Sequence, residues 1–270
     1  MTLLQEGLRN EEKDLDCWIS AIESQWKVIP EFSVDREKFK HLAIICDGNR
    51  RAASERGFHP WCGHRAGIEV IKGVMRASKE WGIGYLTFWT WSTENWKREK
   101  EQVDFVMNLA AKNLREGKVL EELVKNEAKF VHIGRKDRLP DSVSEAIIDL
   151  ERKTQYFDQY TVNLALDYGG LDEMARAIAH MMDQGISPAA LRDRPELILD
   201  FLDTAGQPLP DLVIRTGTRE GEIPHASGFM PLQAAYAGWA FLPDPFPDLT
   251  PSRLLQPIQN YMGYEKRKGK

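Results

Sequence analysis

The sequence predicts an α/β fold, a single domain with a mostly parallel central sheet flanked by helices. Short apolar segments alternate along the chain with longer amphipathic ones, and this alternation is typical of a parallel sheet covered by helices on both faces. The strand candidates are residues 41–47, 85–91, 129–134, 160–169 and 211–217. The helix candidates are residues 67–81, 102–126, 142–156 and 171–184.

The composition is that of a globular protein. The chain has 270 residues and a formal net charge of −5, which argues against a general nucleic-acid binder. Three cysteines without a CxxC pair argue against both a disulfide framework and a structural zinc site, and favour a reducing cytoplasm. The N-terminus lacks the pattern of a signal peptide. No apolar run approaches the ~20 residues that span a bilayer.

The two ends differ from the middle, and we expect an N-terminal helical extension (1–40), a catalytic domain (41–256) and a basic C-terminal tail (257–270). In the extension, apolar residues recur at helical spacing on one face. They are Leu15, Trp18, Ile19, Ile22 and Trp26. The helix could pack on the domain's own core, cover an apolar substrate as a lid, or make a peripheral membrane contact. The end of the tail, 264–270, could equally be a frayed, solvated terminus.

Chemically active residues follow three of the predicted strands. Asp47, Ser92 and Arg215 stand at or just after strand ends, and ligands of parallel sheets bind beyond the carboxyl ends of the strands. We therefore expect these three side chains to lie at one site.

The segment from Asp47 to Arg51 is the best candidate for a diphosphate site. An aspartate beside a Gly-Asn turn can hold Mg²⁺, which proteins bind through one or two carboxylates and substrate phosphate oxygens. Gly48 allows close backbone approach, Asn49 continues the turn, and the guanidinium groups of Arg50 and Arg51 suit phosphate oxygens. The alternative is an aspartate turn with two solvated arginines.

Three further candidates each have a structural alternative. His64, just before a predicted helix, could be an ordinary structural histidine. Residues 92–98 bring hydroxyl, amide, carboxylate and guanidinium groups to one strand end, but they also read as a helix-capping box. Arg215 follows a buried strand and requires an anionic partner, which is either a structural aspartate or a substrate phosphate. Dinucleotide, P-loop, serine-hydrolase and zincin motifs are absent.

Taken in order, these motifs resemble the cis-prenyltransferase family, which includes undecaprenyl diphosphate synthase. The resemblance covers about residues 40–255, and the combination of its first and third motifs with a strand-ending RTG is specific. The matching stretches are HLAIICDGNRRAA, GHRAG, LTFWTWSTENWKR, HIGRKDRLPD, VNLALDYGGLDEM, DLVIRTG and, more loosely, SGFMPLQAAYAGWAF.

The resemblance implies condensation of isopentenyl diphosphate with an allylic prenyl diphosphate, an apolar tunnel for the growing chain, Mg²⁺ as cofactor and a homodimer. Asp47 would hold Mg²⁺ and assist ionisation. The allylic diphosphate would be bound by Gly48, Asn49, Arg50, Arg51 and His64. Condensation and proton removal would involve Ser92, Asn95 and Arg98, with Thr93, Glu94 and Trp96 as neighbours in the substrate site. Isopentenyl diphosphate would be bound by Arg215, Ser227 and His225, with Arg219 and Arg267 as further cations.

Several positions depart from the family pattern. Pro60 replaces an arginine, and Ala52 replaces a large aromatic residue. The RxSN motif reads His225 to Gly228 after an insertion (218–224) from which Arg219 could supply the missing cation. The second metal-binding carboxylate is Gly238. The Arg-Lys-Gly triplet that contains Arg267 resembles a tail that acts across the dimer in some branches.

The sequence is therefore compatible with three functions. The first is a cis-prenyltransferase that makes a prenyl diphosphate. The second is a family member with other chemistry, such as irregular coupling of two allylic units or prenylation of another acceptor, which the changes at the isopentenyl site would suit. The third is a non-catalytic partner subunit, which would be expected to lack the Asp47 motif.

Overall fold

Parallel strands form the centre of the protein. The structure is a computed structural model that describes residues 3–264, with side chains from residue 12 onward. Its strands are β1 (His41–Ile45), β2 (Tyr85–Ser92), β3 (Ala128–Ile133), β4 (Tyr160–Tyr168), β5 (Leu212–Arg215) and β6 (Gly238–Phe241). Within the described residues they form one six-stranded sheet in the order β3-β4-β2-β1-β5-β6. All neighbouring pairs are parallel.

Helices flank the sheet, so the predicted α/β fold is confirmed. They are α1 (Leu3–Gln25), α2 (Asn49–Ser54), α3 (Cys62–Glu80), α4 (Lys100–Arg115), α5 (Lys118–Lys125), α6 (Asp141–Thr154), α7 (Gly170–Asp183), α8 (Pro188–Asp193) and α9 (Pro251–Gly263). Short 3₁₀ helices occupy Thr93–Lys97, Lys136–Arg138, Pro195–Phe201 and Phe246–Asp248.

Two details of the element prediction were wrong. The helix expected over 102–126 is divided into α4 and α5, and Gly117 separates them. A Cβ at Gly117 would lie 2.6 Å from Asn113 Cα, so this close turn requires glycine. Strand β6 was missed because four residues that include a glycine carry too little periodic signal.

Both faces of the central strand are buried in apolar cores. Leu42 and Ile44 of β1 pack into the larger core, whereas Ala43 and Ile45 pack into a smaller core with Phe229. A strand covered on both faces is apolar without alternation, which explains the continuous apolar run of β1.

The terminal elements pack onto the domain. Ile22 of α1 and Trp26, just after α1, are buried in the larger core. Gly73 of α3 leaves room for the Trp26 ring, which lies 2.2 Å from where a Cβ would stand. The structure thus favours the packed helix among the three readings of this segment. Helix α9 continues past residue 256, where the catalytic domain was predicted to end and the tail to begin. Its Ile258 is fully buried, so this part of the predicted tail packs on the domain. No described helix is long and apolar enough to span a membrane.

Candidate active site

A polar pocket of about 640 Å³ lies where β2, β1 and β5 end side by side. Its size is typical of ligand pockets. The carboxyl ends of parallel neighbours share one edge of the sheet, and this brings Asp47, Ser92 and Arg215 together as expected. The predicted site residues in its lining are Asp47, Gly48, Asn49, Arg50, Arg51, His64, Ser92, Glu94, Asn95, Arg98, Arg215, Arg219 and Ser227.

The loop that carries Asp47 is held by hydrogen bonds in which at least one partner is a backbone group. Thr216 Oγ1 accepts a hydrogen bond from Asp47 N–H (3.0 Å) and lies 2.9 Å from the Asp47 carbonyl oxygen. The Asp47 carbonyl also accepts from Phe246 N–H (2.8 Å). Arg51 donates to the Gly217 carbonyl (2.7 Å). These bonds tie the end of β1 to the segments after β5 and β6, so the carboxylate is presented on a rigid support.

Arg215 and Asp47 form an ion pair across the pocket. Arg215 Nη2 donates to Asp47 Oδ2 (2.8 Å), and Arg215 Nη1 donates to Ser227 Oγ and to the His225 carbonyl oxygen (2.7 Å each). His225 Nδ1 lies 2.9 Å from Ser227 Oγ. Of the two partners considered for Arg215, the structure therefore shows an aspartate, and this aspartate belongs to the site itself.

Three arginines in the pocket have no hydrogen-bonded anionic partner among the described residues. Among the described residues, the guanidinium groups of Arg50, Arg98 and Arg219 make no hydrogen bond or ion pair with protein. Arg98 lies over the ring of Trp91 at 5.4 Å. Burial, and next the charge of Arg50, lower the pKa of Arg98. Uncompensated, partly desolvated cations of this kind create a site for a multivalent anion.

The segment after β2 is both a capping box and part of the pocket. Asn95 Oδ1 accepts from Ser92 N–H (3.0 Å), and the Ser92 hydroxyl bonds to the Glu94 carboxylate. That bond is the main reason why the pKa of Glu94 lies below its usual value. The cap orients Asn95 so that its amide nitrogen remains for a ligand. The two readings of this segment are thus compatible.

His64 lies inside the first turn of α3, rather than before the helix as predicted. Its Nε2 atom is buried and has no hydrogen-bond partner in the part of the chain that the structure describes. Burial, together with the charges of Arg98 and Arg50, lowers the pKa of His64 to about 4. The imidazole is consequently neutral at neutral pH and does not add to the positive charge of the site.

An apolar pocket of about 100 Å³ adjoins the polar one. Both are lined by Asn49 and His64, and also by Cys46 and Thr90, which sequence reasoning missed. No motif marks Cys46 or Thr90. From this junction the apolar pocket continues between the sheet, α3 and α4. Its further lining includes Ile68, Ile71, Met75, Phe88, Val106, Leu109, Ala110, Leu164 and Leu166.

Three predicted substrate-binding residues that the structure describes are not part of the lining of the polar pocket. Thr93 and Trp96 lie outside the polar pocket, and the Trp96 indole instead donates to Asp167 Oδ1 (2.7 Å). His225 reaches the site only through Arg215 and Ser227. Arg267 lies outside the described residues.

The position of Gly238 bears on metal binding. Gly238 is in register with Leu212, and Phe241 with Arg215, so Gly238 stands three residues, roughly 10 Å, from the edge that carries the site. A side chain at position 238 would therefore not join Asp47 within one chain. Among the described residues, no group of three histidines, cysteines or carboxylates could hold a metal ion. Any Mg²⁺ at Asp47 would need substrate oxygens as ligands.

Comparison with known proteins agrees with the family resemblance that the sequence motifs indicate. The model of the family described as "Putative undecaprenyl diphosphate synthase" matches residues 45–269. An isoprenyl transferase of Thermotoga maritima is 36% identical over 230 residues, 85% of this chain and 96% of the relative. A tritrans,polycis-undecaprenyl-diphosphate synthase (geranylgeranyl-diphosphate specific) of Pyrococcus horikoshii is 36% identical over 233 residues, 86% of this chain and 87% of the relative.

Two solved structures share the fold. Lavandulyl diphosphate synthase from Lavandula x intermedia, in complex with dimethylallyl diphosphate, has a TM-score of 0.78 and 32% identity, and the match covers 87% of this chain and all of that one. A probable undecaprenyl diphosphate synthase from Campylobacter jejuni has a TM-score of 0.70 and 31% identity, over 86% and 99% of the two chains. With this fold and site, the chain belongs to the undecaprenyl diphosphate synthase family and is a cis-prenyltransferase.

Proposed function

We propose that this protein condenses isopentenyl diphosphate with an allylic prenyl diphosphate, giving a cis-prenyl diphosphate and releasing diphosphate. The observation that carries the proposal is the junction of two unlike pockets. One holds three arginines that make no hydrogen bond or ion pair with the described residues. The other is apolar and begins at the residues that both pockets share, Cys46, Asn49, His64 and Thr90. A substrate with a diphosphate head and a hydrocarbon tail fits that combination.

The allylic diphosphate would bind between Asp47 and the arginines Arg50 and Arg51. Their charges would stabilise the negative charge that develops on the leaving diphosphate as the allylic C–O bond breaks. Neutral His64 would lie beside the allylic diphosphate. Because it carries no charge, it would not repel the allylic cation.

Isopentenyl diphosphate would bind on the β5 side of the polar pocket. Arg215 and Ser227 form one half of this site. Arg219, from the insertion after β5, supplies a cation that has no ion-pair partner among the residues described. The alkene would attack the allylic carbon as the new carbon–carbon bond forms, and a proton would then be lost. Ser92 and Asn95 lie at the end of β2, where they can orient the attacking unit and the departing proton.

Mg²⁺ is proposed as the cofactor, with Asp47 as its protein ligand. The donor set fits an ion held by a single carboxylate and diphosphate oxygens, because Asp47 is half-exposed in the pocket (48%). When bound, Mg²⁺ would supply charge neutralisation at the leaving group. Arg215, which pairs with Asp47 in this structure, would then be released to bind the second diphosphate.

The hydrocarbon chain is proposed to extend into the apolar pocket, which would open as a tunnel between the sheet, α3 and α4. Ala110 of α4 lines this pocket and leaves room there. The small volume of about 100 Å³ implies that α3 and α4 move apart when a chain enters.

Irregular coupling of two allylic units is the second candidate. It is favoured by the likeness to lavandulyl diphosphate synthase and by the occupied state of Arg215, whose nitrogens already bond to Asp47, His225 and Ser227. A non-catalytic partner role ranks last, because the Asp47 loop is fully formed.

Labelled isopentenyl diphosphate, incubated with the purified protein and dimethylallyl, geranyl, farnesyl or geranylgeranyl diphosphate, tests the proposal. Products that grow by five-carbon units are the expected result. Consumption of the allylic diphosphate without incorporation of isopentenyl label would support irregular coupling instead. Turnover only in the presence of a homologous subunit would support the non-catalytic role.

A homodimer is proposed through the β6 edge of the sheet. Tyr236, just before β6, is 87% exposed, and the stacked rings of Trp239 and Phe241 are half-buried on β6 itself. Sedimentation velocity should show a dimer that Tyr236→Asp weakens; a monomeric wild type would contradict this. Action of Arg267 across such a dimer, a cytoplasmic location and peripheral membrane contact remain predictions.

A further inference from the structure

Asp167 is a buried carboxylate beside the active site, and the sequence motifs assigned no role to it. It lies at the end of β4 and is fully buried. Its Oδ1 accepts from Trp96 Nε1–H at 2.7 Å. Arg138 completes the contact, with Nε 2.8 Å from Oδ2 and Nη2 2.5 Å from Oδ1. A buried charge persists only when it is paired and hydrogen-bonded, and Arg138 meets that requirement here.

The backbone at Asp167 is irregular in a way that aims this side chain. In the pairing of β2 with β4, Trp91 pairs with Leu166 and Ser92 with Tyr168, so Asp167 is an extra residue. Its φ of +54° lies in the left-handed region, which aspartate tolerates better than most residues. Bulges of this kind redirect side chains next to active sites. Asp167 is thereby turned toward the segment that follows β2.

Trp96 connects Asp167 to the polar pocket. Its ring meets Trp91 edge-to-face at 5.8 Å, and Arg98 lies over that same Trp91 ring. Asn95 and Arg98, on either side of Trp96 in the chain, line the polar pocket, whereas Trp96 does not. The indole therefore anchors the 3₁₀ helix Thr93–Lys97 from behind.

We propose that Asp167 and Arg138 are positioning residues that act through Trp96 to hold Asn95 and Arg98 in their catalytic orientation. The inference rests on the proposed function, since it assigns the anchor of residues that the reaction would use. Because the anchored residues would serve condensation, loosening the anchor should affect turnover more than binding of the allylic diphosphate at Asp47.

Trp96→Phe tests this by deleting the indole N–H while keeping an aromatic ring. The matched control is Trp81→Phe. Trp81 is fully buried, whereas Trp96 is partly buried. The Trp81 Nε1–H donates to the Pro30 carbonyl (2.9 Å), and Trp81 lies at the C-terminal end of α3, away from the site. We expect kcat to fall on the order of tenfold in Trp96→Phe, with the Kd for the allylic diphosphate within about twofold of wild type. Trp81→Phe should retain kcat at similar thermal stability.

A conservative variant tests the route through Trp96. Asp167→Asn keeps an oxygen that can accept from Trp96 Nε1–H, so it should lose less kcat than Trp96→Phe. In the double variant, the two losses should not add, because Asp167→Asn weakens the contact with Arg138 and Trp96→Phe removes the next contact in the same chain. Additive losses, or a kcat for Trp96→Phe within twofold of the Trp81→Phe control, would overturn the proposal.

Hydrogen exchange separates failure of this inference from failure of the proposed function. Peptides covering residues 92–99 should exchange faster in Trp96→Phe than in wild type, and not in Trp81→Phe. Unchanged exchange would refute the anchor whether or not the protein turns over isopentenyl diphosphate. Absence of isopentenyl incorporation by wild type would refute the proposed function, and the exchange data would still decide the anchor.

Discussion

Two glycines illustrate how single residues shape the active-site loop. Gly48, with φ +92°, would place a Cβ 2.8 Å from Pro245 Cα. Gly63, at the start of α3, would place one 1.8 Å from the Asn49 carbonyl oxygen. Both contacts are with backbone that cannot easily move. The Asp47 loop can therefore pack this closely against the start of α3 and the segment before Phe246 only because both positions are glycine.

The Gly48→Ala variant should therefore lose both stability and activity. A left-handed alanine costs on the order of 1 kcal/mol, and the clash with Pro245 displaces the Asp47 carboxylate in addition. Gly57→Ala is the matched control, because Gly57 has φ +79° but no described atom lies within 4 Å of where its Cβ would stand. Chemical denaturation and turnover measure the two effects. Equal losses in both variants would refute the role of close packing at Gly48.

Asp47→Ala should abolish Mg²⁺-dependent turnover and leave the fold intact. The carboxylate is half-exposed, so its burial contributes little to folding stability. Charge neutralisation at the leaving diphosphate lowers the activation free energy by several kcal/mol, which corresponds to about a hundredfold or more in rate. Asp137→Ala, which removes an exposed partner of Arg135, is the control. Initial rates measured with and without a chelator, alongside circular dichroism, test the metal assignment. A rate close to wild type would remove it.

At the scale of elements, α4 connects the polar site to the proposed hydrocarbon path. Ala110 lines the apolar pocket, whereas its neighbour Ala111 packs on the larger core outside that lining. Successive helical residues point about 100° apart, which is why two adjacent alanines have different surroundings.

Enlarging Ala110 should shorten the product. Ala110→Leu would fill part of a pocket of about 100 Å³, and the hydrocarbon chain would meet it after fewer additions. Ala111→Leu, with the same change in volume, should leave the product length unchanged. Reversed-phase chromatography of the prenyl products gives the distribution. Equal shortening in both variants would indicate a general repacking of α4 instead.

For the molecule as a whole, the end of the sheet opposite the active site holds a buried polar network. His41 Nδ1 lies 2.8 Å from the Pro208 carbonyl oxygen, and its Nε2 lies 2.7 Å from Thr87 Oγ1. Asn163 donates to the same hydroxyl. Burial lowers the pKa of His41 to about 4, although the Pro208 carbonyl and the charge of Asp211 partly oppose this. The network thus requires a neutral imidazole.

Stability should fall as the pH is lowered from about 6.5 to about 4. In that window the unfolded histidine, with a pKa near 6.5, binds a proton that the folded one does not, so protonation favours unfolding. The contribution of His41 across the interval is about 3 kcal/mol, and His64 acts in the same direction. Urea denaturation at pH 7 and pH 4.5 should show a smaller loss for His41→Gln than for wild type. An identical loss would refute this contribution.

The local pattern of residues was sufficient to predict the α/β class, the strands β1 to β5, and the meeting of Asp47, Ser92 and Arg215, because parallel neighbours end at one edge. It also predicted most of the residues that line the polar pocket. Tertiary structure alone decided that Arg215 pairs with Asp47, that Gly238 stands away from the site, and that Trp96 turns toward Asp167 instead of the pocket. These outcomes depend on strand register, a bulge and contacts between residues distant in the chain, none of which leaves a periodic signal in the sequence.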